Sequence, residues 1–263
     1  MRVVSLFDGM SCGQLALDKL GIKPTYFASE IDKYAMQVTK ANFPNTHFIG
    51  DVTKVDAKFL PKIDLLLGGS PCQGFSFAGK QLNFDDPRSK LFFEYVRLLK
   101  ELKPKYFLLE NVRMKKESQD IISKYLGVQP IAINSNLVSA QNRYRLYWTN
   151  IPNIMQPKDK QINLKDIIED GLTDRTKSHC IDANYFKGGN LKSYFEKHRR
   201  QLIFSDEGYK EYRKLTPLEC ERLQTVPDGY TKSVSNTQRY RMLGNGWTVD
   251  VISHILSNME KSK

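Results

Sequence analysis

The chain has 263 residues, a length that suits one large domain with a smaller unit attached, because single cores rarely exceed roughly 250–300 residues. Apolar residues make up 40% and charged residues 26% of the chain, which excludes a fibrous or disordered protein. The 40 Lys and Arg outnumber the 29 Asp and Glu, and the net charge of +11 favours a polyanionic partner, with a generally basic soluble protein as the alternative.

The cysteines and the hydropathy of the sequence indicate which class of protein this is. The four cysteines lie far apart and form no CxxC pair, so we expect neither a zinc cluster nor a disulfide framework, and no metal. The N-terminal residues lack the apolar core of a signal peptide, and no run approaches the roughly 20 apolar residues of a membrane span. A cytoplasmic protein without membrane contact is therefore expected.

The first half of the chain alternates short apolar runs with amphipathic stretches, a pattern typical of a parallel sheet with crossover helices. Strands are predicted at Val3–Leu6, Tyr26–Ser29, His47–Ile49, Leu65–Leu67, Tyr106–Leu109, Ile131–Val138 and Arg145–Trp148. Helices are predicted at Gln14–Leu20, Tyr34–Asn42, Ser89–Leu102 and Thr248–Met259, with a further helix beginning after Thr216. After Asn150 the sequence becomes rich in Pro and Lys, which indicates a separate, smaller unit.

Turns at the strand ends carry the candidate cofactor residues. The first strand runs into the segment Phe7–Gly13 and then into a helix, so backbone amides are offered to a ligand, although such turns are often only tight connections. Glu30 after the second strand is spaced to meet ribose hydroxyls, and Asp51 after the third could accept from an adenine amino group. Solvated loop carboxylates are the alternative. The absence of a full GxGxxG argues against NAD.

Four further residues suggest a chemistry. Cys72 follows the fourth strand and Glu110 the fifth, so a thiol and a carboxyl group should converge on one crevice, while Arg143 and Arg145 project from one side of an extended segment. A lone cysteine is more often a buried core residue. A thiolate, however, suits attack on carbon 6 of cytosine, which activates carbon 5, with Glu110 acting at ring nitrogen 3 and Arg143 at the carbonyl oxygen.

Five blocks of sequence in fixed order resemble the cytosine-5 DNA methyltransferase family, including its bacterial, phage and animal de novo members. The blocks are Ser70-Pro71-Cys72-Gln73, Glu110-Asn111-Val112, Gln141-Asn142-Arg143-Tyr144-Arg145, Arg213 to Cys220, and Gly244-Asn245-Gly246. The resemblance covers roughly residues 1–150 and 212–255. It implies a doubly wound, mostly parallel Rossmann-like α/β methyltransferase fold that binds S-adenosylmethionine and releases S-adenosylhomocysteine.

The family's roles carry over residue by residue. Cys72 matches the nucleophile, Glu110 the group at ring nitrogen 3, and Arg143 and Arg145 the arginines around the flipped base and its phosphate. The positions that match cofactor contacts are Phe7, Asp8, Gly9, Met10, Ser11, Cys12, Gly13, Glu30, Ile31, Asp51, Val52, Pro71, Leu91, Asn245 and Gly246.

The resemblance also predicts contacts with DNA. The segment Phe75–Arg88 is similar to a mobile catalytic loop that closes over DNA, and the candidate contacts in and near it are Gln73, Ser76, Lys80 and Arg88. Residues from about 151 to 212 occupy the place of a short target-recognition region. There Lys187, Arg199 and Arg200 stand among aromatic residues, which suits contacts with phosphates and base edges, with a charged helix face as the alternative.

Two departures from the family pattern stand out. Ser11 replaces a frequent glycine, and Gly246-Trp247 replaces a small polar pair, which puts the cofactor contact of Gly246 in doubt. We expect neither change to touch the chemistry.

The prediction is thus a DNA (cytosine-5-)-methyltransferase with three segments, a catalytic domain over 1–157, a target-recognition domain and hinge over 158–236, and a C-terminal return over 237–263. Double-stranded DNA is the expected partner, a monomer the expected state, and a cognate restriction endonuclease a candidate partner. The alternatives are a tRNA cytosine-5 methyltransferase, a catalytically silent DNA-binding regulator and, more remotely, a nicotinamide oxidoreductase.

Overall fold

The computed structural model describes residues 1–70 and 90–260, and its centre is a seven-stranded sheet. The strands are β1 (Arg2–Leu6), β2 (Thr25–Ser29), β3 (His47–Phe48), β4 (Leu65–Gly68), β5 (Tyr106–Val112), β6 (Ile131–Asn134) and β7 (Tyr144–Thr149). They lie in the order β3-β2-β1-β4-β5-β7-β6, so the chain winds outward in both directions from the β1–β4 pair. The predicted doubly wound α/β fold is confirmed.

All pairings from β3 to β5 are parallel, while β7 runs antiparallel to both β5 and β6. Two predicted boundaries were wrong. The segment Glu110–Val112 lies within β5 rather than after it, because its residues pair with Tyr147, Leu146 and Arg145 of β7. The strand predicted at 131–138 ends at Asn134, whose side chain accepts from the amide of Asn136 and starts a single helical turn.

Helices cover both faces of the sheet. They are α1 (Cys12–Lys19), α2 (Lys33–Asn42), α3 (Lys90–Leu102), α4 (Lys116–Leu126), α5 (Leu191–Lys197), α6 (Pro217–Leu223), α7 (Asn236–Asn245) and α8 (Val249–Leu256). On one face α1 and α8 pack with Val3, Leu65 and Leu67, and on the other α3 and α4 pack with Val4 and Leu66. This alternation along β1 and β4 is what a sheet buried on both faces requires.

The segment between β7 and α7 contains a small two-stranded antiparallel sheet, β8 (Leu202–Phe204) and β9 (Tyr212–Lys214). The predicted cap of α6 is confirmed, since Thr216 and Glu219 form a reciprocal capping box behind Pro217. Buried Ile203 and Leu215 belong to the same hydrophobic cluster as Val3 and Leu65. The small sheet is therefore packed onto the large domain by shared apolar burial.

Within the described ranges, none of the helices has the length and apolarity that crossing a membrane would require.

Candidate functional site

A cleft of about 410 Å³ opens at the carboxyl ends of the parallel strands, where a doubly wound sheet places its ligands. Its walls come from the turns after β1, β2 and β4, from the end of β5, from β7, and from α7 with the residues that follow it. The lining residues are Phe7, Asp8, Gly9, Met10, Cys12, Glu30, Asp32, Ala35, Gly69, Ser70, Glu110, Asn111, Val112, Arg143, Arg145, Gln238, Arg241, Met242, Gly244, Asn245, Gly246 and Trp247.

The end of the cleft formed by β1 and β2 is acidic. Backbone N–H groups hold the Glu30 carboxylate, with Gly9 donating to Oε2 at 2.7 Å and Ile31 and Asp32 donating to Oε1 at 2.7 and 2.8 Å. Ile31, the next residue in the sequence, is 75% exposed. A fixed carboxylate beside an uncovered apolar surface suits a ligand that has hydroxyl groups next to a flat ring.

Asp8 lies beneath this end in a buried network of hydroxyl groups. Tyr26 donates to Asp8 Oδ1 at 2.7 Å, and the Ser11 hydroxyl donates to Oδ2. Burial raises the pKa of Asp8 to about 6, although the hydrogen bonds from Ser11, Ser5 and Tyr26 oppose that rise. Ser11 has a left-handed backbone with φ of 60°, and its hydroxyl also accepts from Thr39 at 3.1 Å. The departure at Ser11 therefore supplies a hydrogen bond that glycine could not.

The turn after β4 is fixed from β5. The amide of Asn111 donates to both the carbonyl and the hydroxyl oxygen of Ser70 at 3.3 Å. Cys72 follows Ser70 by two positions and lies outside the described residues, as do Pro71, Gln73, Ser76, Lys80 and Arg88.

Glu110 is held by one donor on each carboxylate oxygen. Arg145 Nε lies 2.9 Å from Oε1, and the indole Nε1 of Trp247 donates to Oε2 at 3.1 Å. Both charged side chains are largely buried. Burial alone would lower the pKa of Arg145, but the charges of Glu110, Cys180 and Tyr147 outweigh it and the pKa is raised. We expected the departure at Trp247 to lie apart from the predicted catalytic residues, but its indole contacts Glu110 directly.

Arg143 differs from Arg145 in its contacts. It is 3% exposed, and its guanidinium donates to the carbonyls of Ile181 at 3.0 Å, Gly244 at 3.0 Å and Gly246 at 2.8 Å. Burial and then the neighbouring Arg145 lower its pKa. Both guanidinium groups approach Cys180 Sγ, at 3.2 Å from Arg143 and 4.0 Å from Arg145, so they do lie on one side of the segment. Arg143 thus joins two stretches of backbone, one at Ile181 and one at Gly244–Gly246, at the edge of the cleft.

Two of the three described cysteines are poor candidates for a nucleophile. Burial raises the pKa of Cys12 to about 12 and places that of Cys220 well above its ordinary value. Cys180 is half-buried beside the two arginines and does not line the cleft.

Eight of the predicted cofactor residues line the cleft, namely Phe7, Asp8, Gly9, Met10, Cys12, Glu30, Asn245 and Gly246. Ser11 and Gly13 are buried. Val52 belongs to the apolar cluster on which α3 packs, and Leu91 of α3 is partly buried against it. Asp51 accepts from the amide of Thr53 and caps a single helical turn. Four further residues of the cleft lining were not predicted from the sequence, namely Asp32, Gln238, Arg241 and Trp247. Of these, Trp247 could have been suspected because it departs from the family pattern.

The predicted DNA contacts of the small unit differ in accessibility. Lys187 and Arg199 are exposed, whereas Arg200 is half-buried and donates to the carbonyl of Gly188 at 2.9 Å.

Known proteins resemble the chain along its full length. A model of the family described as C-5 cytosine-specific DNA methylase matches residues 1–147 and 115–261. The type II methyltransferase M1.ScrFI of Lactococcus lactis subsp. cremoris is 32% identical over 321 aligned residues, covering 100% of this chain and 79% of the relative. The type II methyltransferase M.HhaI of Haemophilus parahaemolyticus is 29% identical, covering 100% and 95%. The structure of the Entamoeba histolytica methyltransferase EhMeth superposes with a TM-score of 0.77 at 17% identity, covering 98% and 97%.

Proposed function

Because the chain belongs to the C-5 cytosine-specific DNA methylase family, it is a DNA (cytosine-5-)-methyltransferase, and we propose which of its residues perform that reaction. One observation carries the assignment. Glu110 and Arg145 form a largely buried ion pair in the same cleft whose opposite end holds the fixed carboxylate of Glu30. The cleft therefore has a place for a polar aromatic base at one end and for a cofactor at the other.

The acidic end fits S-adenosylmethionine, the cofactor on which this family depends. Three backbone amides occupy three of the roughly four lone-pair sites of Glu30, which leaves a site on Oε2 for a ribose hydroxyl. The exposed Ile31 offers an apolar surface for the adenine ring. The carboxylates of Asp32 and Glu30 favour a positively charged group nearby. When bound, the cofactor supplies an electrophilic methyl group on a sulfonium. We assign its methionine part to the turn of Phe7, Gly9 and Met10.

The basic end fits a cytosine that has left the base stack. We assign the attack on carbon 6 to the Cys72 thiolate, which makes carbon 5 the nucleophilic carbon of an enamine. As negative charge develops on the ring, nitrogen 3 takes a proton from the Glu110 carboxyl group, and the carbonyl oxygen accepts a hydrogen bond from Arg145. Once carbon 5 carries the methyl group, its proton leaves to water and the bond to Cys72 breaks, so that the thiolate is restored. The proton on nitrogen 3 then returns to Glu110.

This assignment changes the role of Arg143. Its guanidinium donates to three backbone carbonyls, so it has fewer groups to offer to a base than Arg145 has. We propose that Arg143 holds the frame of the site and that Arg145 contacts the base.

Extracting a base from a duplex costs a few kcal/mol, which contacts with the DNA backbone must offset. We assign part of that binding to the exposed Lys187 and Arg199 of the small unit, and the remainder to the Phe75–Arg88 segment. We also propose that the chain acts as a monomer.

Labelled S-adenosylmethionine offered with duplex DNA and with transfer RNA in parallel tests the activity. Transfer of label to DNA is expected, and label on RNA alone would overturn the assignment. Bisulfite sequencing of a plasmid expressed with the chain then gives the target site.

A duplex with 5-fluorocytosine at that target tests the nucleophile. The wild type should form an adduct that survives denaturation, and Cys72→Ala should form none. Cys180→Ser is the matched control and should still form the adduct. An adduct with Cys72→Ala would refute the role of Cys72.

A further inference from the structure

Trp247 lies at the junction between the end of α7 and the start of α8, beside the catalytic carboxylate. It follows Gly246, the residue after α7, and precedes Thr248, the cap of α8. Its indole reaches β5, which is 137 positions earlier in the chain, and donates to Glu110 Oε2 at 3.1 Å. A tryptophan N–H is a donor only, so in this contact the Glu110 carboxylate is necessarily the acceptor.

The backbone around Trp247 is fixed from several sides. The Gly246 carbonyl accepts from Arg143 at 2.8 Å and from Gln224 at 3.2 Å. The hydroxyl of Thr248 donates to Gln224 Oε1 and accepts from Ser135, both at 2.9 Å. Because the residues before and after Trp247 are both held, the indole is oriented before any substrate arrives.

The turn after β4 leaves space for the indole and the carboxylate together. A Cβ atom on Gly69 would lie 2.9 Å from Trp247 Nε1 and 3.3 Å from Glu110 Oε2. A contact below 3.0 Å would force the indole to move, so the absence of a side chain at Gly69 permits the pair. Gly69 is also the third residue before Cys72, which places the pair beside the turn that leads to the nucleophile.

A glutamate carboxyl group rotates easily about its last torsion, for which the energy wells are broad. A single donor would fix one oxygen of Glu110 and leave the plane of the group free to turn. Arg145 on one oxygen and Trp247 on the other fix that plane. We propose that Trp247 is a positioning residue that orients the Glu110 carboxyl group toward ring nitrogen 3 of the cytosine. This inference rests on the proposed function, in which Glu110 acts at that nitrogen.

Trp247→Phe tests the inference, because it keeps an aromatic ring and removes the N–H donor together with the smaller ring of the indole. The measurement is the single-turnover methylation rate at saturating DNA and cofactor, together with KM for both. Since hydrogen bonds to charged groups are the stronger class, we expect the rate to fall about 10-fold or more while both KM values change little.

The matched control is Trp148→Phe. Trp148 is fully buried on β7, and its indole donates to Ser123 at 2.9 Å, so the control also removes a buried tryptophan hydrogen bond but not at the cleft. We expect its methylation rate to equal that of the wild type. Gly69→Ala is a second variant that displaces the same indole from the opposite side, and it should lower the rate with unchanged KM values even if Trp247→Phe folds poorly.

A double-mutant cycle separates positioning from a general effect on the pocket. In the Glu110→Gln background, Trp247→Phe should lower the methylation rate by a much smaller factor than it does in the wild type, because the group that Trp247 orients is already altered. An equal fall in both backgrounds, or a rise in cofactor KM with an unchanged rate, would overturn the inference. If the wild type methylates no cytosine, the proposed function fails. If the wild type is active and Trp247→Phe matches it, only this inference fails.

Discussion

Arg145 and Glu110 form an ion pair of 2.9 Å across two neighbouring strands, β7 and β5, with both side chains largely buried. The pair joins the two groups that we assign to the carbonyl oxygen and the ring nitrogen of the base. One contact therefore sets the distance between two parts of the substrate site, and a change on either side should alter both.

Arg145→Ala should lower the single-turnover rate by roughly 10- to 100-fold, since a hydrogen bond to a charged group contributes about 1.5–3 kcal/mol. Rapid-quench assays with labelled cofactor measure this. Arg222→Ala is the control, because it removes an ion pair of 2.7 Å with Asp228 on a solvated surface, and it should leave the rate unchanged. An Arg145→Ala enzyme as fast as the wild type would remove Arg145 from the substrate site.

Arg143→Ala should lower the free energy of unfolding more than Arg145→Ala does. It removes the donor from the carbonyls of Ile181 and Gly244, while the Gly246 carbonyl keeps a hydrogen bond from Gln224. An unsatisfied buried acceptor costs about 1–3 kcal/mol. We expect the free energy of unfolding in urea to fall by about 3 kcal/mol or more. A variant that is inactive but as stable as the wild type would show instead that Arg143 serves the substrate.

The sequence predicted the central sheet well because its strands are continuous apolar runs that end in turn residues. It did not predict α4 and α7, and their N-terminal residues explain why. Lys115 before α4 is not a capping residue type, so the usual start signal is absent there. Ser235 before α7 is a capping type, but the helix Asn236–Asn245 is mostly polar and its apolar periodicity is weak. By contrast, Thr216 makes a full capping box, and α6 begins where the sequence predicts.

The candidate site was predictable where it depends on strand ends. The carboxyl ends of β1, β2, β4 and β5 meet at one edge of the sheet, so Glu30 and Glu110 could be placed in one cleft from their order alone. The contact of Trp247 with Glu110 could not be predicted this way, since it depends on how the chain returns after α7. The division of labour between Arg143 and Arg145 depends on the same return, which supplies Gly244 and Gly246 as acceptors.

Gly244→Ala should destabilise the protein because the returning chain passes close to the small unit. A Cβ atom there would lie 2.1 Å from the carbonyl carbon of Asp182 and 2.4 Å from the nitrogen of Ala183. Both are backbone atoms, so relief requires a shift of the chain, and overpacking of this kind costs about 1–3 kcal/mol. Gly208→Ala is the control, since its nearest atom is a side-chain oxygen of Asp206 at 3.0 Å. Equal unfolding midpoints for the two variants would contradict the close approach.

Lys187→Ala and Arg199→Ala should weaken DNA binding about equally for target and non-target duplexes, because contacts with phosphates carry no sequence information. The slope of log affinity against log salt should decrease by about one for each basic side chain removed from a phosphate. Fluorescence anisotropy over a range of salt concentrations measures both. Unchanged slopes would place the DNA on another surface of the small unit.

Asp8 should make the stability of the folded chain depend on pH in a direction opposite to that of most carboxylates. Its pKa is about 6 in the folded protein, against about 3.9 in an unfolded chain, because burial disfavours the charged form. The folded state therefore binds the proton more tightly, and this contribution to stability is complete below about pH 4 and is lost as the pH rises through about 6.

Asp8→Asn removes this titration. The difference in unfolding free energy, wild type minus Asp8→Asn, should fall by roughly 3 kcal/mol between about pH 4 and pH 7, since one unit of pKa corresponds to about 1.4 kcal/mol. Urea unfolding of both proteins at a series of pH values measures that difference. Asp51→Asn is a control for which the opposite pH dependence is expected, because the hydrogen bonds from Thr53 lower the pKa of Asp51. The difference in unfolding free energy, wild type minus Asp51→Asn, should therefore decrease as the pH falls. A wild-type minus Asp8→Asn difference that stays level across this range would mean that Asp8 titrates in the folded protein as it does in the unfolded chain.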